Sequence, residues 1–199
     1  SIMGIWLFKR EKFFNARTFS PPGHLIHLIK KGEYCLVLNK RKYEVKKGDV
    51  IYYHEAEPVE TQGTGKNVDF YSVSFLAPEL IPLDRDSRLC SSTERLKESF
   101  DSLYSLSLLP RNDHRLMSLY AELAVIISEL PFCRLTKTEA HLKNNLWWEV
   151  EGVIRQKKMY RACVGDLVRI SAKSRSTLHR MCKKALGVSP CARIKQIRM

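Results

Sequence analysis

A short basic segment near the C-terminus contains the residues with the clearest binding chemistry. Residues 174–190 read SRSTLHRMCKKALGVSP, and helical spacing places five polar side chains opposite an apolar stripe: Arg175, Ser176, His179, Arg180 and Lys183. Arginine can donate two hydrogen bonds to a guanine edge, and serine and histidine can also reach base edges. A partly overlapping set of cations is better suited to phosphates: Lys183, Lys184, Arg193, Lys195 and Arg198. These residue types predict contact with double-stranded DNA.

The charge distribution along the chain supports the same interpretation. The formal net charge is +13, and residues 147–199 carry 13 Lys and Arg against 3 Asp and Glu. The preceding 146 residues contain 21 Lys and Arg against 18 Asp and Glu, so the basic excess is local. Such asymmetry indicates a unit that binds a polyanion, joined to a nearly neutral one. A solvated cationic surface is the alternative that charge alone leaves open.

Four helices are predicted to position the basic segment. Trp147, Val150, Val153 and Ile154 mark one face of the first, and Cys163, Leu167 and Val168 indicate a second, short one. After a turn over residues 170–173, Ser174 is a suitable N-cap for the third helix, and Gly187 suits its end. Its buried stripe is Leu178, Met181, Cys182 and Leu186. Ser189 and Pro190 then begin a fourth helix. This layout is that of a helix-turn-helix.

The N-terminal part reads as β-structure from residue 5 to about residue 83. Short apolar runs alternate with turn signals and predict strands at residues 24–29, 33–38, 42–45, 50–54 and 68–75. Hairpins without intervening helices favour an antiparallel barrel or jelly roll, so the predicted class is α+β. The predicted units are a barrel over 1–90, a helical region over 91–131, a linker over 132–145 and the helix-turn-helix over 146–199.

Two helices are predicted in the middle region. Ser91 and Glu94 have the spacing of a capping box, and Pro110 is expected to end the first helix. Asn112 and Asp113 can cap the second helix, which Pro131 is expected to stop. Thr136 and Glu139 have capping-box spacing within the linker. The apolar stripes of both middle helices fit either core packing or a homodimer interface.

The C-terminal residues carry a family resemblance. Ser174, Leu178, Arg180, Lys183, Gly187, Ser189, Pro190, Ile194 and Arg198 fall into the spacing S-x-x-x-L-x-R-x-x-K-x-x-x-G-x-S-P-x-x-x-I-x-x-x-R. This pattern resembles the first helix-turn-helix of the AraC/XylS family of bacterial transcription regulators. The segment over residues 47–75, with Gly48-Asp49, Pro58 and the run YSVSF, resembles the cupin-like sensor barrel of that family. The resemblance implies an effector-responsive regulator, dimerising through the middle helices.

Several residues depart from the family pattern. Cys182 and Arg193 occupy positions where the family usually has aromatic residues, and Val168 replaces a small alanine. Ser171 and Lys173 replace residues that are usually apolar, so we expect a less tightly packed core here. The family's DNA-binding domain continues into a second helix-turn-helix, whereas this sequence reaches Met199 within the helix that would join the two. We therefore expect weak, salt-dependent DNA binding by this chain.

Five residues on predicted strands are candidates for a small-molecule site in the barrel: His24, Tyr34, Tyr52, His54 and Tyr71. If they face inward, they can orient an effector within an otherwise apolar cavity. The alternative is that they bond to one another or face solvent. His24 and His27 are three residues apart on one strand, so they should point to opposite faces.

We expect no catalytic residues, no metal and no cofactor, and hence no enzyme, because the H-x-H pair of metal-binding cupins is missing. A cupin-type metalloenzyme with a basic tail is the alternative class, and an effector-binding dimerisation module without DNA binding is a variant of the main hypothesis. The six cysteines lack C-x-x-C spacing, which favours reduced thiols. Without a long apolar run or a signal peptide, we expect a cytoplasmic protein with no membrane partner.

Overall fold

Two antiparallel sheets form the N-terminal part of the protein. In the computed structural model, which describes residues 1–78, 80–135 and 146–198, one sheet has the strand order β1-β8-β3-β6-β9 and the other β2-β7-β4-β5. The strands are β1 Ile2–Arg10, β2 Asn15–Phe19, β3 His24–Lys31, β4 Glu33–Leu38, β5 Arg41–Lys46, β6 Asp49–His54, β7 Pro58–Gly63, β8 Val68–Phe75 and β9 Leu89–Ser91. The predicted α+β class and the antiparallel, cupin-like barrel are thus confirmed.

The larger sheet is buried on both faces. Successive side chains of a strand point to opposite faces, so Leu25 and Ile29 of β3 pack toward the second sheet, whereas Ile26 and Leu28 pack toward helices. All six residues of β6 are buried for the same reason. One hydrophobic core therefore fills the space between the two sheets, and a second core lies on the outer face of the larger sheet.

Two middle helices, α1 Glu94–Leu108 and α2 Asp113–Leu135, cover that outer face. The hydroxyl group of Thr93 accepts the Leu96 N–H at 3.1 Å, so Thr93 caps α1 in place of the predicted Ser91. Asn112 caps α2 as predicted, accepting the Arg115 N–H at 2.7 Å. The predicted stop at Pro131 is wrong, since α2 extends to Leu135. A proline removes one backbone hydrogen bond, and here that loss does not end the helix.

Four further helices form the C-terminal helical unit, residues 146–198: α3 Leu146–Gln156, α4 Val164–Ser171, α5 Arg175–Leu186 and α6 Pro190–Arg198. They share a core that includes Trp147, Ile154, Leu178, Cys182 and Ile194. The predicted helix ends are confirmed. Ser174 accepts the Thr177 N–H at 3.2 Å, and Gly187 closes α5 in the left-handed conformation with φ 74°. The capping-box pair Thr136 and Glu139 lies outside the described residues.

All five predicted strands are confirmed, within about two residues at each end. The strands β1, β2, β7 and β9 were not predicted from the apolar runs of the sequence. In β2 every residue is exposed, so its sequence lacks the alternation that marks a half-buried strand. Within the described ranges, no helix is both long enough and apolar enough to cross a lipid bilayer.

Candidate functional site

A cavity of about 200 Å³ lies between the two sheets and is the first candidate site. This barrel cavity is lined mainly by apolar and aromatic side chains, among them Phe14, Tyr34, Tyr53 and Phe70, with Arg10 also in its wall. The hydroxyl oxygens of Tyr34 and Tyr53 are 3.5 Å apart. Burial raises the pKa of Tyr34 to about 12 and that of Tyr53 well above its ordinary value, so both phenols stay neutral.

His27 adds a polar group to the barrel cavity. Its ring lies 4.8 Å from that of Tyr53 and 4.7 Å from that of Phe70, measured between centroids. Burial, with a smaller contribution from the charge of Arg10, lowers the pKa of His27 to about 3. The imidazole is therefore neutral at pH 7, and its Nδ1 atom is buried without a hydrogen-bond partner among the described residues. The cavity combines an apolar wall with neutral polar groups and the Arg10 side chain.

Of the five residues predicted to line the barrel, Tyr34 does so and four do not. His24, Tyr52, His54 and Tyr71 lie on the opposite face of the larger sheet, because strand alternation turns them away from its interior. Their polar atoms largely bond to one another or to nearby groups. The His24 Nδ1 atom is 2.5 Å from the Tyr52 hydroxyl oxygen, and the Tyr71 hydroxyl donates to Asp101 at 2.6 Å.

The inward-facing residues that sequence reasoning missed are His27 and Tyr53. Tyr53 lies between the predicted residues Tyr52 and His54, and strand pairing places His27 opposite Ile51, with its ring against that of Tyr53. The predicted opposite orientation of His24 and His27 is confirmed, since His24 stacks on Phe75 in one core and His27 packs against Phe70 in the other. Alternation with Leu25 and Ile29 was the one sequence signal that could have selected His27.

An ion network with a buried centre joins the barrel to the C-terminal helical unit and is the second candidate site. The network consists of Glu55 from the barrel with Glu151, Arg155 and Arg193 from the helical unit. The Arg193 guanidinium donates to both carboxylate oxygens of Glu151, at 3.0 and 2.8 Å, and to the backbone carbonyl of Glu55 at 2.9 Å. Arg155 donates to Glu151 at 2.6 Å and also pairs with the Glu55 carboxylate. The network thus spans both parts of the protein.

Electrostatics within the network follow from burial and pairing. Burial alone would raise the pKa of Glu151, but the Arg193 guanidinium beside it holds that pKa well below its usual range. The His54 Nε2 atom lies 3.4 Å from a Glu151 oxygen, yet burial outweighs this attraction and lowers the His54 pKa to about 3. At pH 7 the network therefore contains charged Glu151 and Arg193 beside a neutral His54.

Arg193 does not have the phosphate-binding position predicted from its charge. Its side chain is 0% exposed and is fully engaged with Glu151 and Glu55, so it cannot reach a phosphate. The Arg193 side chain therefore lies at the junction with the barrel. Nearby, Trp148 donates its indole N–H to Asp84 at 3.1 Å, and Gly187 fits closely against Asn39 and Arg85.

The polar face of α5 is the third candidate site, and it is open to solvent. Exposed residues predicted to contact DNA are Arg175, Ser176, His179, Arg180, Lys183 and Lys184 on α5, with Lys195 and Arg198 on α6. Arg198 also donates to the Tyr160 carbonyl at 2.8 Å. The opposite side of α5 is buried, as predicted, through Leu178, Cys182 and Leu186. Among the described residues, no group of three or more His, Cys, Asp or Glu side chains is arranged to hold a metal ion.

The N-terminal part of the chain resembles a known protein family. Residues 10–132 match the family described as the AraC-like ligand binding domain. The chain belongs to this family. The matched range of the AraC-like domain contains the barrel cavity, and the C-terminal helical unit lies beyond it. No protein with a curated description matches the sequence.

Solved structures extend the likeness of this AraC-like chain to its C-terminal helices. ToxT from Vibrio cholerae strain SCE256, crystallised with a bound unsaturated fatty acid, has a TM-score of 0.63 at 12% sequence identity, over 99% of this chain and 78% of that one. ToxT from Vibrio cholerae O395 has a TM-score of 0.60 at 10% identity, over 98% and 78%. At such identities the likeness establishes the fold.

Proposed function

We propose that this AraC-like chain is a transcription regulator whose barrel binds a small effector and whose C-terminal helical unit binds double-stranded DNA. The observation that carries the proposal is the exposed cationic face of α5, attached to a barrel of this family. In the proposal, α4 and α5 form a helix-turn-helix, with Ala172 in the left-handed conformation (φ 51°) at the turn and α5 as the recognition helix. As a regulator of this kind, the protein is proposed to act in the cytoplasm.

Two kinds of DNA contact are assigned within α5. Arg175 and Arg180, together with Ser176 and His179, are proposed to reach base edges in the major groove. Lys183 and Lys184, with Arg198 on α6, are proposed to contact phosphates, which fix position without reading sequence. Exposure supports the choice of these residues, because all of them are solvent-accessible whereas Arg193 is fully buried.

The effector is proposed to bind in the barrel cavity. Its apolar wall favours an apolar body, the neutral groups of His27, Tyr34 and Tyr53 suit one polar substituent, and Arg10 in the wall can pair with a carboxylate. The unsaturated fatty acid bound to ToxT combines an apolar body with one carboxyl group, and a molecule of this kind would suit the cavity. An effector shifts the regulator only by binding its DNA-competent and incompetent arrangements unequally.

The regulator is further proposed to act as a homodimer through α2. One side of this helix packs on the barrel through Leu119, Leu123 and Ile126, whereas Met117 and Tyr120 are 69% and 38% exposed. Apolar side chains on both sides of a helix are typical of one that has a second packing partner. We also propose that the chain acts by binding and not by catalysis.

The DNA-binding proposal is tested by selecting bound duplexes from a random library at low salt. We expect an enriched motif, and Arg180→Ala is expected to reduce discrimination at one or more positions about tenfold, the effect of losing a bidentate base contact. Lys184→Ala should weaken enriched and random duplexes equally, because phosphates carry no sequence information. Protein that binds no duplex would overturn this part of the proposal and would leave an effector-binding dimerisation module.

The effector proposal is tested with two neighbouring tyrosines of β6. Tyr53→Phe removes a hydroxyl from the barrel cavity, whereas the control Tyr52→Phe removes one from the opposite face of the same sheet. Binding of an unsaturated fatty acid, followed by calorimetry, should be weakened more by Tyr53→Phe than by Tyr52→Phe. Equal effects of the two substitutions, or no binding by the native protein, would contradict the assignment of the effector to the barrel.

A further inference from the structure

A second cavity lies at the junction between the barrel and the C-terminal helical unit. This junction cavity, of about 270 Å³, shares no lining residue with the barrel cavity. Its walls are the barrel end at His24 and His54, the residues Leu76–Pro78 and Leu80–Pro82, and the face of α3 that carries Trp148 and Gly152. A molecule in this cavity would touch both parts of the protein at once.

Gly152 is unusual among the residues of this wall. It lies in the middle of α3, where glycine is the least favourable residue apart from proline. Apart from its two chain neighbours and the backbone of its own helix, no described atom lies within 4 Å of the position that a Cβ atom would occupy, so packing within the described protein does not require a glycine. Gly187 is different, because its Cβ would come within 3.1 Å of the Asn39 carbonyl oxygen. At Gly152 the absent side chain instead leaves space in the wall of the cavity.

The chemistry of the wall limits what can occupy this space. Apolar side chains predominate, and two of them, Leu76 and Ile81, are 37% and 55% exposed at the rim. Glu55, Glu151 and Arg155 also line the cavity but already pair with one another. A charged occupant would have to compete with these ion pairs, whereas an uncharged apolar occupant would bury exposed apolar surface.

We propose that the junction cavity binds a small, uncharged, largely apolar molecule, and that this molecule strengthens the attachment of the helical unit to the barrel. Strengthening follows because the occupant contacts both His54 of the barrel and Trp148 of the helical unit, whose rings already pack edge to face with centroids 5.5 Å apart, beside the ion network. The site is separate from the barrel cavity, and its binding step does not depend on the proposed function in DNA binding.

The test uses p-cresol as the uncharged probe and p-toluate as its carboxylated analogue. Ligand-observed NMR on the full chain should detect p-cresol binding, and Gly152→Leu, which places a side chain in the cavity, should weaken it at least tenfold. Ile81→Thr should weaken p-cresol binding less than Gly152→Leu does, because Ile81 lies at the rim of the cavity. Since Ile81 is 55% exposed, the fold should tolerate a polar residue there. The p-toluate anion should bind at least tenfold more weakly than p-cresol.

Two control variants keep the result specific to this cavity. Gly165→Ala changes a glycine of α4 outside the cavity, and Tyr53→Phe changes the barrel cavity, so neither should alter p-cresol binding. Gly152→Ala should raise the thermal midpoint of the free protein, because alanine favours a helix and meets no neighbour. The proposal is overturned if native protein binds no p-cresol, if folded Gly152→Leu binds it normally, or if Tyr53→Phe abolishes binding.

Discussion

Removing either partner of the Glu151–Arg193 pair should destabilise the protein, but by unequal amounts. Loss of Glu151 leaves the fully buried Arg193 with the Glu55 carbonyl as its remaining acceptor, and it also removes the acceptor of the Trp147 indole N–H. Loss of Arg193 is milder, because Arg155 still donates to Glu151 at 2.6 Å. Breaking a buried ion pair costs about 3–5 kcal/mol. We therefore expect Glu151→Met to lower the free energy of unfolding by about 4 kcal/mol. Arg193→Met should lower it by about 2.5 kcal/mol, because Arg155 remains beside the Glu151 carboxylate.

The double variant separates the pair interaction from the cost of burial. When both partners become methionine, neither charge is left unpaired, and such replacements are often close to neutral. Because the hydrogen bonds from Trp147 to Glu151 and from Arg193 to the Glu55 carbonyl are lost, we expect the double variant to lower the free energy of unfolding by about 3.5 kcal/mol. The coupling energy between the two positions is then about 3 kcal/mol, at the upper end for residues in contact.

Urea unfolding at pH 7, followed by tryptophan fluorescence, measures these differences. Trp147 and Trp148 lie in α3 beside the network, and a Trp6→Phe background removes the signal from β1. Lys97→Met is the matched control, because Lys97 forms an exposed ion pair with Glu94 and should cost less than about 0.5 kcal/mol. Additive effects of the two single substitutions, or a larger loss for Arg193→Met than for Glu151→Met, would refute this account of the network.

Three further predictions concern pH, association and a helix end. Burial lowers the pKa values of His27 and His54 to about 3 from an ordinary 6.5, so the unfolded chain binds more protons between these values. The contribution of these neutral histidines to the free energy of unfolding should be fully present above pH 6.5 and should fall with decreasing pH, by up to about 1.4 kcal/mol per pH unit for each histidine. In urea titrations at several pH values, His27→Gln should reduce this slope. Tyr120→Glu should convert a homodimer into a monomer in analytical ultracentrifugation, whereas Glu94→Gln, on α1, should leave the mass unchanged. Gly187→Ala should lower stability by about 1–2 kcal/mol, because alanine is strained at φ 74° and its Cβ would meet Asn39; a thermal midpoint equal to that of the native protein would count against it.

Local signals predicted the elements of the fold well. The strands β4 and β8 and the caps at Asn112, Ser174 and Gly187 follow from alternation and capping chemistry, which depend on neighbours in the sequence. The fully exposed β2 could not be found in this way, because its place depends on pairing with β7.

The choice of face was the main limit for the candidate site. Both faces of the central strands of the larger sheet are buried, so the apolar residues beside His27 occur on both faces, and alternation with Leu25 and Ile29 was the only weak sign that His27 lines the barrel. The position of Arg193 was equally hidden, since its partners Glu151 and Glu55 are distant in sequence. Charge indicated a cationic surface, and only the packed structure separates the buried arginine from the exposed Arg180 and Lys184.

The salt dependence of duplex binding tests the central claim most directly, namely that the exposed face of α5 holds DNA. The logarithm of the binding constant should fall linearly with the logarithm of salt concentration, by about 0.9 for each phosphate contacted. Lys184→Ala should reduce this slope by about 0.9, whereas Lys47→Ala, an exposed lysine of the barrel, should leave it unchanged. An affinity that does not respond to salt, or equal slopes for the two variants, would contradict the account.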